Sequence, residues 1–232
     1  MYRFSEELEH KNFKDKNRVD SIDTYWDDDY DLADPGGWEH RHTHEAEIIS
    51  QVISQLGIKK VLELGSGPGN LATKIIDKTN VDYTLVDGDS ALRAHAKRGN
   101  KGKLLVIDLF DSFDTSNLDN DYDLIVANDF LEHIRNPSLI LEKVRNDLTT
   151  DTSYFFLSSP NWRMKHQFYY PGLFDYDNLV KFMIQEGYKL HYVFDSWANH
   201  VPVRAPRLSS ESSLPEGHIF DWNHYLLFKK EV

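Results

Sequence analysis

The chain has 232 residues, 40% of them hydrophobic and 28% charged, which is typical of one soluble globular domain that buries its own core. The absence of cysteine excludes disulfides, thiolate zinc sites and cysteine nucleophiles, and the net charge of −12 disfavours broad contact with nucleic acid. No apolar run approaches the roughly 18 residues of a membrane span, and the charged N-terminus is unlike a signal peptide, so we expect a cytoplasmic protein.

The N-terminal part of the chain, residues 1–42, is polar, acidic and aromatic. We interpret it as an extension that forms a lid, and a partly ordered acidic tail is the alternative. Residues 43–56 then carry apolar side chains at helical spacing. Thr43 is the expected N-cap of this helix, which would place Glu45 and Glu47 near the positive end of the helix dipole.

From residue 60 onwards, short apolar runs alternate with helical patterns, as in a parallel sheet whose strands are buried on both faces. The predicted strands are 61–64, 83–86, 104–107, 124–127, 154–157, 189–194 and 224–228. The predicted helices are 70–79, 90–98, 137–148 and 175–186, the last of them stopped by Gly187. We therefore predict a single α/β domain with helices on both faces of a doubly wound sheet, with residues 43–160 as its cofactor-binding core.

The strongest local signal is the strand-to-helix segment VLELGSGPGN at residues 61–70. Glycines let the backbone turn tightly and lie against a ligand where a Cβ would clash. The spacing is G-x-G-x-G rather than the G-x-G-x-x-G of dinucleotide folds, Glu63 lies inside the preceding strand, and Pro68 removes an amide donor. These details disfavour a nicotinamide oxidoreductase.

Residues 63–69 resemble the E/D-x-G-x-G-x-G motif of class I S-adenosylmethionine (SAM) dependent methyltransferases. The segment YDLIVANDFLEH at 122–133 resembles the stretch ending in Glu-His of the small-molecule branch, which includes the ubiquinone-pathway O-methyltransferase-like and methyltransferase type 11 and type 23 families. The resemblance implies a Rossmann-like, seven-stranded, mostly parallel sheet with an antiparallel last strand. It also implies SAM as cofactor, with S-adenosylhomocysteine as the product.

The same resemblance assigns cofactor contacts to the ends of the first four strands. Asp87 corresponds to the acid that binds both ribose hydroxyls, and a carboxylate suits that role because it accepts two hydrogen bonds at once. Asp108 corresponds to the residue that accepts from the adenine amino group. The complete predicted cofactor site is Glu63, Gly65, Ser66, Gly67, Gly69, Asp87, Gly88, Asp108, Leu109 and Asn128.

The acceptor should lie at the same edge of the sheet, beyond the carboxyl ends of the strands. A histidine suits the deprotonation of an oxygen nucleophile, so we expect His133, and as second candidate His166, to act as the catalytic base. Residues 161–232 supply acceptor-side elements and the last two strands. Their cations Arg163, Arg204 and Arg207 either bind a negatively charged small-molecule acceptor or are ordinary exposed loop residues.

Two alternatives to small-molecule methylation stay open. Asp129, Glu132 and His133 fall within one helical turn and resemble clusters that hold a divalent metal in ribose methyltransferases of small RNA, where the ion would polarise a hydroxyl. A protein that binds SAM without transferring its methyl group is the second alternative, because an intact glycine turn predicts binding but not turnover.

Overall fold

The computed structural model describes residues 38–109, 113–134, 136–160, 176–194 and 223–231. The strands are β1 Lys60–Leu64, β2 Asp82–Asp87, β3 Lys103–Val106, β4 Tyr122–Asn128, β5 Thr149–Pro160, β6 Tyr188–Phe194 and β7 Asn223–Lys230. The helices are α1 Trp38–Leu56, α2 Asn70–Lys78, α3 Asp89–Arg98, α4 Pro137–Lys143 and α5 Tyr176–Gln185, with a 3-10 turn at Leu131–His133 and a π-helical turn at Val144–Leu148. Among the helices in these ranges, none is both long and apolar enough to cross a membrane.

The strands form one sheet in the order β3-β2-β1-β4-β5-β7-β6. Strands β1 to β5 pair in parallel, and β7 runs antiparallel to both of its neighbours, β5 and β6. This confirms the predicted doubly wound sheet with an antiparallel last strand. The strand order reverses between β1 and β4, and ligands of such sheets bind beyond the carboxyl ends of the strands at that point.

Apolar side chains pack on both faces of this sheet. On β1, Val61 belongs to the core on the face covered by α1 and α2, whereas Leu62 and Leu64 belong to the core on the face covered by α4 and α5. All three side chains are completely buried. Burial on both faces explains why the strands are near-continuous apolar runs in the sequence, with no alternation between polar and apolar positions.

Helix α1 begins earlier than the sequence pattern indicates. It starts at Trp38, so the prediction of Thr43 as its N-cap was wrong. Glu45 therefore lies inside the helix, well after its first turn, and has no exposed surface. The first turns carry Arg41, which binds residues of the sheet edge described below. Such a tertiary contact can extend a helix beyond a local capping signal, because packing supplies most of the stability of helices in proteins.

Candidate functional site

The turn between β1 and α2 depends on its glycines. Gly65, Gly67 and Gly69 have φ values of 66°, 53° and 82°, a region that side chains disfavour. A Cβ added to Gly65 would lie 2.3 Å from Cδ2 of Phe130, and one added to Gly69 would lie 2.9 Å from Nδ1 of His95. The turn therefore needs glycine both for its backbone path and for the close packing around it.

Asp87 ends β2 opposite this turn and is 4% exposed. Its Oδ2 accepts a hydrogen bond of 2.6 Å from the amide of Gly67, and its Oδ1 accepts one of 2.7 Å from the amide of Gly88. Burial raises the pKa of Asp87 to about 6, against the lowering effect of the two amides. The structure thus brings three of the predicted cofactor residues together, and each carboxylate oxygen keeps a further lone pair for a ligand.

Glu63 lies within β1 and is 2% exposed. The hydroxyl of Tyr83 donates to its Oε2 over 3.0 Å. Burial raises the pKa of Glu63 to about 8, and the nearby carboxyl groups of Glu45 and Asp87 add to that rise. At neutral pH the Glu63 side chain therefore carries its proton in most molecules.

The other predicted cofactor residues take different positions along the same edge. Ser66 is buried in the turn, and its amide lies 3.2 Å from the carbonyl oxygen of Val86. Asp108 is exposed just beyond the end of β3, whereas Leu109 beside it is 1% exposed. Asn128 ends β4, which lies on the other side of β1 from β2 and Asp87. The edge thus presents an exposed acid and a buried apolar side chain next to the Asp87 region.

Asp129, directly after β4, is held by side chains from distant parts of the chain. Its φ is 47°, a left-handed conformation that is uncommon for a residue other than glycine. Its amide donates to Oγ of Ser158 over 3.0 Å, and its Oδ1 accepts from Nδ2 of Asn223 over 2.8 Å. Residues at the ends of β5 and β7 therefore fix the backbone where β4 stops.

Arg41 joins this group from α1. Its Nη1 lies 2.6 Å from Oδ2 of Asp129, and its Nε lies 3.1 Å from Oε1 of Glu45. Glu45 also accepts from Nδ2 of Asn128 over 3.2 Å and from the hydroxyl of Tyr225 over 3.3 Å. Burial raises the pKa of Glu45 to about 7, although Arg41 acts in the opposite direction. We call Arg41, Glu45, Asn128, Asp129, Ser158, Asn223 and Tyr225 the acceptor-edge network.

Sequence reasoning missed Arg41, Glu45 and Asn223 as members of this site. Arg41 and Glu45 are four residues apart, the spacing of any ion pair on an exposed helix face, so nothing local distinguishes them. Asn223 is 94 residues from its partner Asp129 along the chain. Their role depends on how α1 and β7 pack against the end of β4, and no sequence spacing reports that packing.

The 3-10 turn after β4 carries Glu132 and His133. Glu132 is 1% exposed, and neither of its carboxyl oxygens has a hydrogen-bond partner in the described part of the chain. Nε2 of His133 lies 4.0 Å from Oε1 of Glu132, and the His133 side chain is 17% exposed. Burial raises the pKa of Glu132 well above its usual range, and the charge of Asp129 adds to the rise.

The remaining predicted acceptor residues, Arg163, His166, Arg204 and Arg207, lie outside the described residues. Within the described ranges, no group of three or more histidine, aspartate or glutamate side chains is arranged to hold a metal ion. One oxygen of Asp129 is instead paired with the guanidinium of Arg41. The metal alternative of Asp129, Glu132 and His133 therefore has no structural support from these residues.

Residues 32–207 match the model of a family described as a methyltransferase domain. A search of curated proteins gives no match.

Solved structures of low sequence identity share the fold. A plantazolicin methyltransferase, BpumL, in complex with a monoazolic desmethylPZN analog and SAH has a TM-score of 0.60 and 14% identity, covering 86% of this chain and 87% of its own. A SAM-dependent methyltransferase from Clostridium acetobutylicum has a TM-score of 0.58 and 13% identity, with coverages of 81% and 91%. The methyltransferase domain of bacterial CtHen1-C has a TM-score of 0.57 and 18% identity, with coverages of 82% and 98%.

Proposed function

The chain belongs to this methyltransferase domain family, and from that premise we propose that it transfers the methyl group of SAM to an oxygen atom of a small-molecule acceptor. The observation that carries the proposal is the position of Asp87, whose buried carboxyl group is held by backbone amides against the glycine turn. A carboxylate in this position is suited to bind a pair of neighbouring hydroxyl groups such as those of a ribose.

The residues of the turn fit the cofactor. Gly65, Gly67 and Gly69 keep side chains away from the backbone of the turn, and Asp87 retains free lone pairs beside it. Asp108 and Leu109, at the next strand end, would hold the adenine, one by hydrogen bonding and the other by apolar contact. SAM supplies an activated methyl group on a sulfonium, which is a good leaving group, so the protein has chiefly to bind and align the acceptor.

His133 is the proposed base for the acceptor hydroxyl. It follows β4 on the acceptor side, and its side chain is partly exposed, so a proton taken up there can pass to solvent. His166 is the second candidate. Arg163, Arg204 and Arg207 are proposed to bind a negatively charged part of the acceptor.

The test is a calorimetric titration with SAM and with S-adenosylhomocysteine, with NADH as a control ligand. We compare wild type with Asp87→Ala and with the matched control Asp89→Ala, because Asp89 is 53% exposed and pairs with Arg93 on the surface of α3. We expect micromolar binding in wild type and in Asp89→Ala, and binding weaker by on the order of 100-fold in Asp87→Ala, which loses charge-assisted hydrogen bonds to the ligand.

A folded wild-type protein that binds neither SAM nor S-adenosylhomocysteine contradicts the proposal. Circular dichroism of the Asp87→Ala variant separates lost binding from lost folding. Methyl transfer from labelled SAM to acceptor panels, with and without Mg²⁺ and with short RNA included, then distinguishes small-molecule methylation from the RNA alternative. Binding without any transfer supports the alternative of a SAM-binding protein without transferase activity.

A further inference from the structure

Two glutamates of the acceptor side are equally buried but differ in their surroundings. Glu45 has no exposed surface, and Glu132 is 1% exposed. The carboxyl group of Glu45 is bound by Arg41, Asn128 and Tyr225. Neither oxygen of Glu132 has a hydrogen-bond partner among the described residues. Among the described residues, only the first of these glutamates therefore has its hydrogen-bonding capacity used.

A buried polar group without a partner destabilises a protein, and such groups are rare in native structures. Glu63, which is buried to the same extent, has the Tyr83 hydroxyl as its partner. For Glu132, Nε2 of the neighbouring His133 is 4.0 Å from Oε1, beyond hydrogen-bonding distance. The arrangement leaves hydrogen-bonding capacity in the protein interior that a ligand can use.

The turn that carries Glu132 is fixed on both sides. Before it, Asp129 is anchored by Arg41 and Asn223, and Phe130 packs so closely on the glycine turn that Gly65 has no room for a Cβ. After it, Ile134 is 1% exposed and belongs to the core. Glu132 therefore lies on a rigid support between the cofactor turn and the acceptor-edge network, next to the proposed base His133.

We propose that Glu132 binds a hydroxyl group of the methyl acceptor and thereby favours alcohols and phenols over ammonium and carboxylate compounds. This inference rests on the proposed function. A carboxylic acid donates one hydrogen bond, which a lone pair of the hydroxyl oxygen can accept while the hydroxyl proton is left to the proposed base His133. An ammonium group has no lone pair to accept this hydrogen bond, and a carboxylate would bring a charge into a buried position.

The protonation state agrees with this match. Burial, together with the neighbouring charge of Asp129, raises the pKa of Glu132 well above its usual range, while the backbone amide of Glu132 and, less strongly, Arg41 oppose the rise. The raised pKa favours the uncharged form of the Glu132 side chain. A hydroxyl group that reaches Glu132 would form hydrogen bonds without adding a charge to this buried position, and any negative charge of the acceptor then lies elsewhere in the molecule.

The first experiment compares thermal unfolding of Glu132→Met, Glu132→Gln and Glu45→Met with wild type, in the absence of acceptor. Removal of an unpartnered buried carboxyl should stabilise the protein, so Glu132→Met should raise the Tm by about 2–4 °C. Glu132→Gln keeps a neutral polar group and should change the Tm by no more than about 1 °C. Glu45→Met strips Arg41 and Tyr225 of a partner and should lower the Tm by roughly 6 °C or more.

The second experiment measures transfer from labelled SAM to a panel of phenols and alcohols, with matched amines and carboxylic acids. We expect methylation of hydroxyl compounds, a loss on the order of 100-fold in Glu132→Met, partial retention in Glu132→Gln, and unchanged affinity for SAM in both variants. If Glu132 instead bound a cation as a carboxylate, Glu132→Gln would not retain activity, because glutamine carries no charge.

Each unfavourable outcome is distinct. A wild-type protein that does not bind SAM contradicts the proposed function. Wild type that binds SAM while Glu132→Met is destabilised as much as Glu45→Met contradicts the Glu132 inference alone, because the side chain is then structural. Methylation confined to amines, with Glu132→Gln as inactive as Glu132→Met, also overturns it.

Discussion

The cofactor side and the acceptor side of the sheet edge are built in different ways. On the cofactor side, Gly67 and Asp87, and likewise Tyr83 and Glu63, are joined across 20 residues of sequence. On the acceptor side, Asn128 reaches Glu45 across 83 residues, and Tyr225 reaches the same glutamate across 180. One half is thus a local βαβ unit with contacts between neighbouring strands and turns, whereas the other joins segments far apart in the sequence by side chains.

This difference indicates where each half is sensitive to mutation. The cofactor side should respond chiefly to changes that disturb backbone conformation or close packing at the glycine turn. The acceptor side should respond chiefly to loss of charge balance, because it concentrates buried carboxyl groups around Arg41. A buried ion pair that loses one partner leaves an uncompensated charge in a medium of low polarity.

The largest effect is expected for Arg41→Met. This change leaves Asp129 and Glu45 without their cation and should lower the free energy of unfolding by about 4 kcal/mol. The matched control is Lys78→Met, which removes a surface ion pair between α2 and Glu47 of α1, with side chains 36% and 48% exposed. Loss of that pair should change stability by less than about 1 kcal/mol. Urea unfolding measures the stability of both variants. Similar losses of stability in Arg41→Met and Lys78→Met would show that the acceptor-edge network does not stabilise the packing of α1.

The next largest effect is expected for Gly65→Ala. The added Cβ combines a left-handed φ of 66° with a distance of 2.3 Å to Phe130, so stability should fall by about 3 kcal/mol. Gly57→Ala is the control, because Gly57 has a φ of 67° and no atom within 4 Å of an added Cβ. The free energy of unfolding of Gly57→Ala should fall by only about 1 kcal/mol, which measures the backbone strain alone. Equal losses in urea unfolding would argue against tight packing at the turn.

The smallest effect is expected in the pH dependence of stability between pH 7 and 8. The pKa of Glu63 is raised from 4.5 to about 8 in the folded protein, so the folded state binds more protons than the unfolded state between these values. Stability should therefore fall as pH rises towards 8, by up to about 1.4 kcal/mol per pH unit from this group and by about 1 kcal/mol between pH 7 and 8. Asp87 and Glu45 contribute in the same direction at lower pH, because their pKa values are raised to about 6 and about 7.

Glu63→Gln should make the fall of stability between pH 7 and 8 shallower than in wild type. Asp87 is already largely ionised in this range, whereas Glu45 and Glu132 keep a part of the slope in both proteins. The exposed Glu142 of α4 provides the control, and Glu142→Gln should keep the wild-type slope. Urea unfolding at several pH values is the measurement. A slope as steep in Glu63→Gln as in wild type would place the linked proton on another group.

Much of the cofactor side could be predicted from the sequence. The glycine spacing and the acids at strand ends placed Gly67, Asp87 and Gly88 in one site, and the structure joins all three by hydrogen bonds. The helical pattern and the capping residue Thr43, in contrast, placed the start of α1 five residues too late. A capping residue is a local signal, and it was outweighed by the contacts of Arg41 with the sheet edge.

On the acceptor side the sequence indicated positions but not partners. His133 and Glu132 stood out in the segment after β4, and Asp129 was considered with them as a metal ligand. The structure instead pairs Asp129 with Arg41 and Asn223, and within its described ranges it gives the carboxyl oxygens of Glu132 no hydrogen-bond partner. Which of two similar carboxyl groups is satisfied depends on side chains brought from both ends of the chain.

The sequence by itself determined the doubly wound sheet and the glycine turn, because these follow from periodicity and from backbone limits that act over a few residues. The antiparallel last strand was implied by the resemblance to class I methyltransferases. Only the tertiary structure decided the acceptor-edge network. Its contacts between α1, β4 and β7 cross 83 to 180 residues, and they form where parallel strands end together. Hydrogen bonds and charges depend on distances in space, and sequence spacing reports those distances only within a helix, a turn or a neighbouring strand.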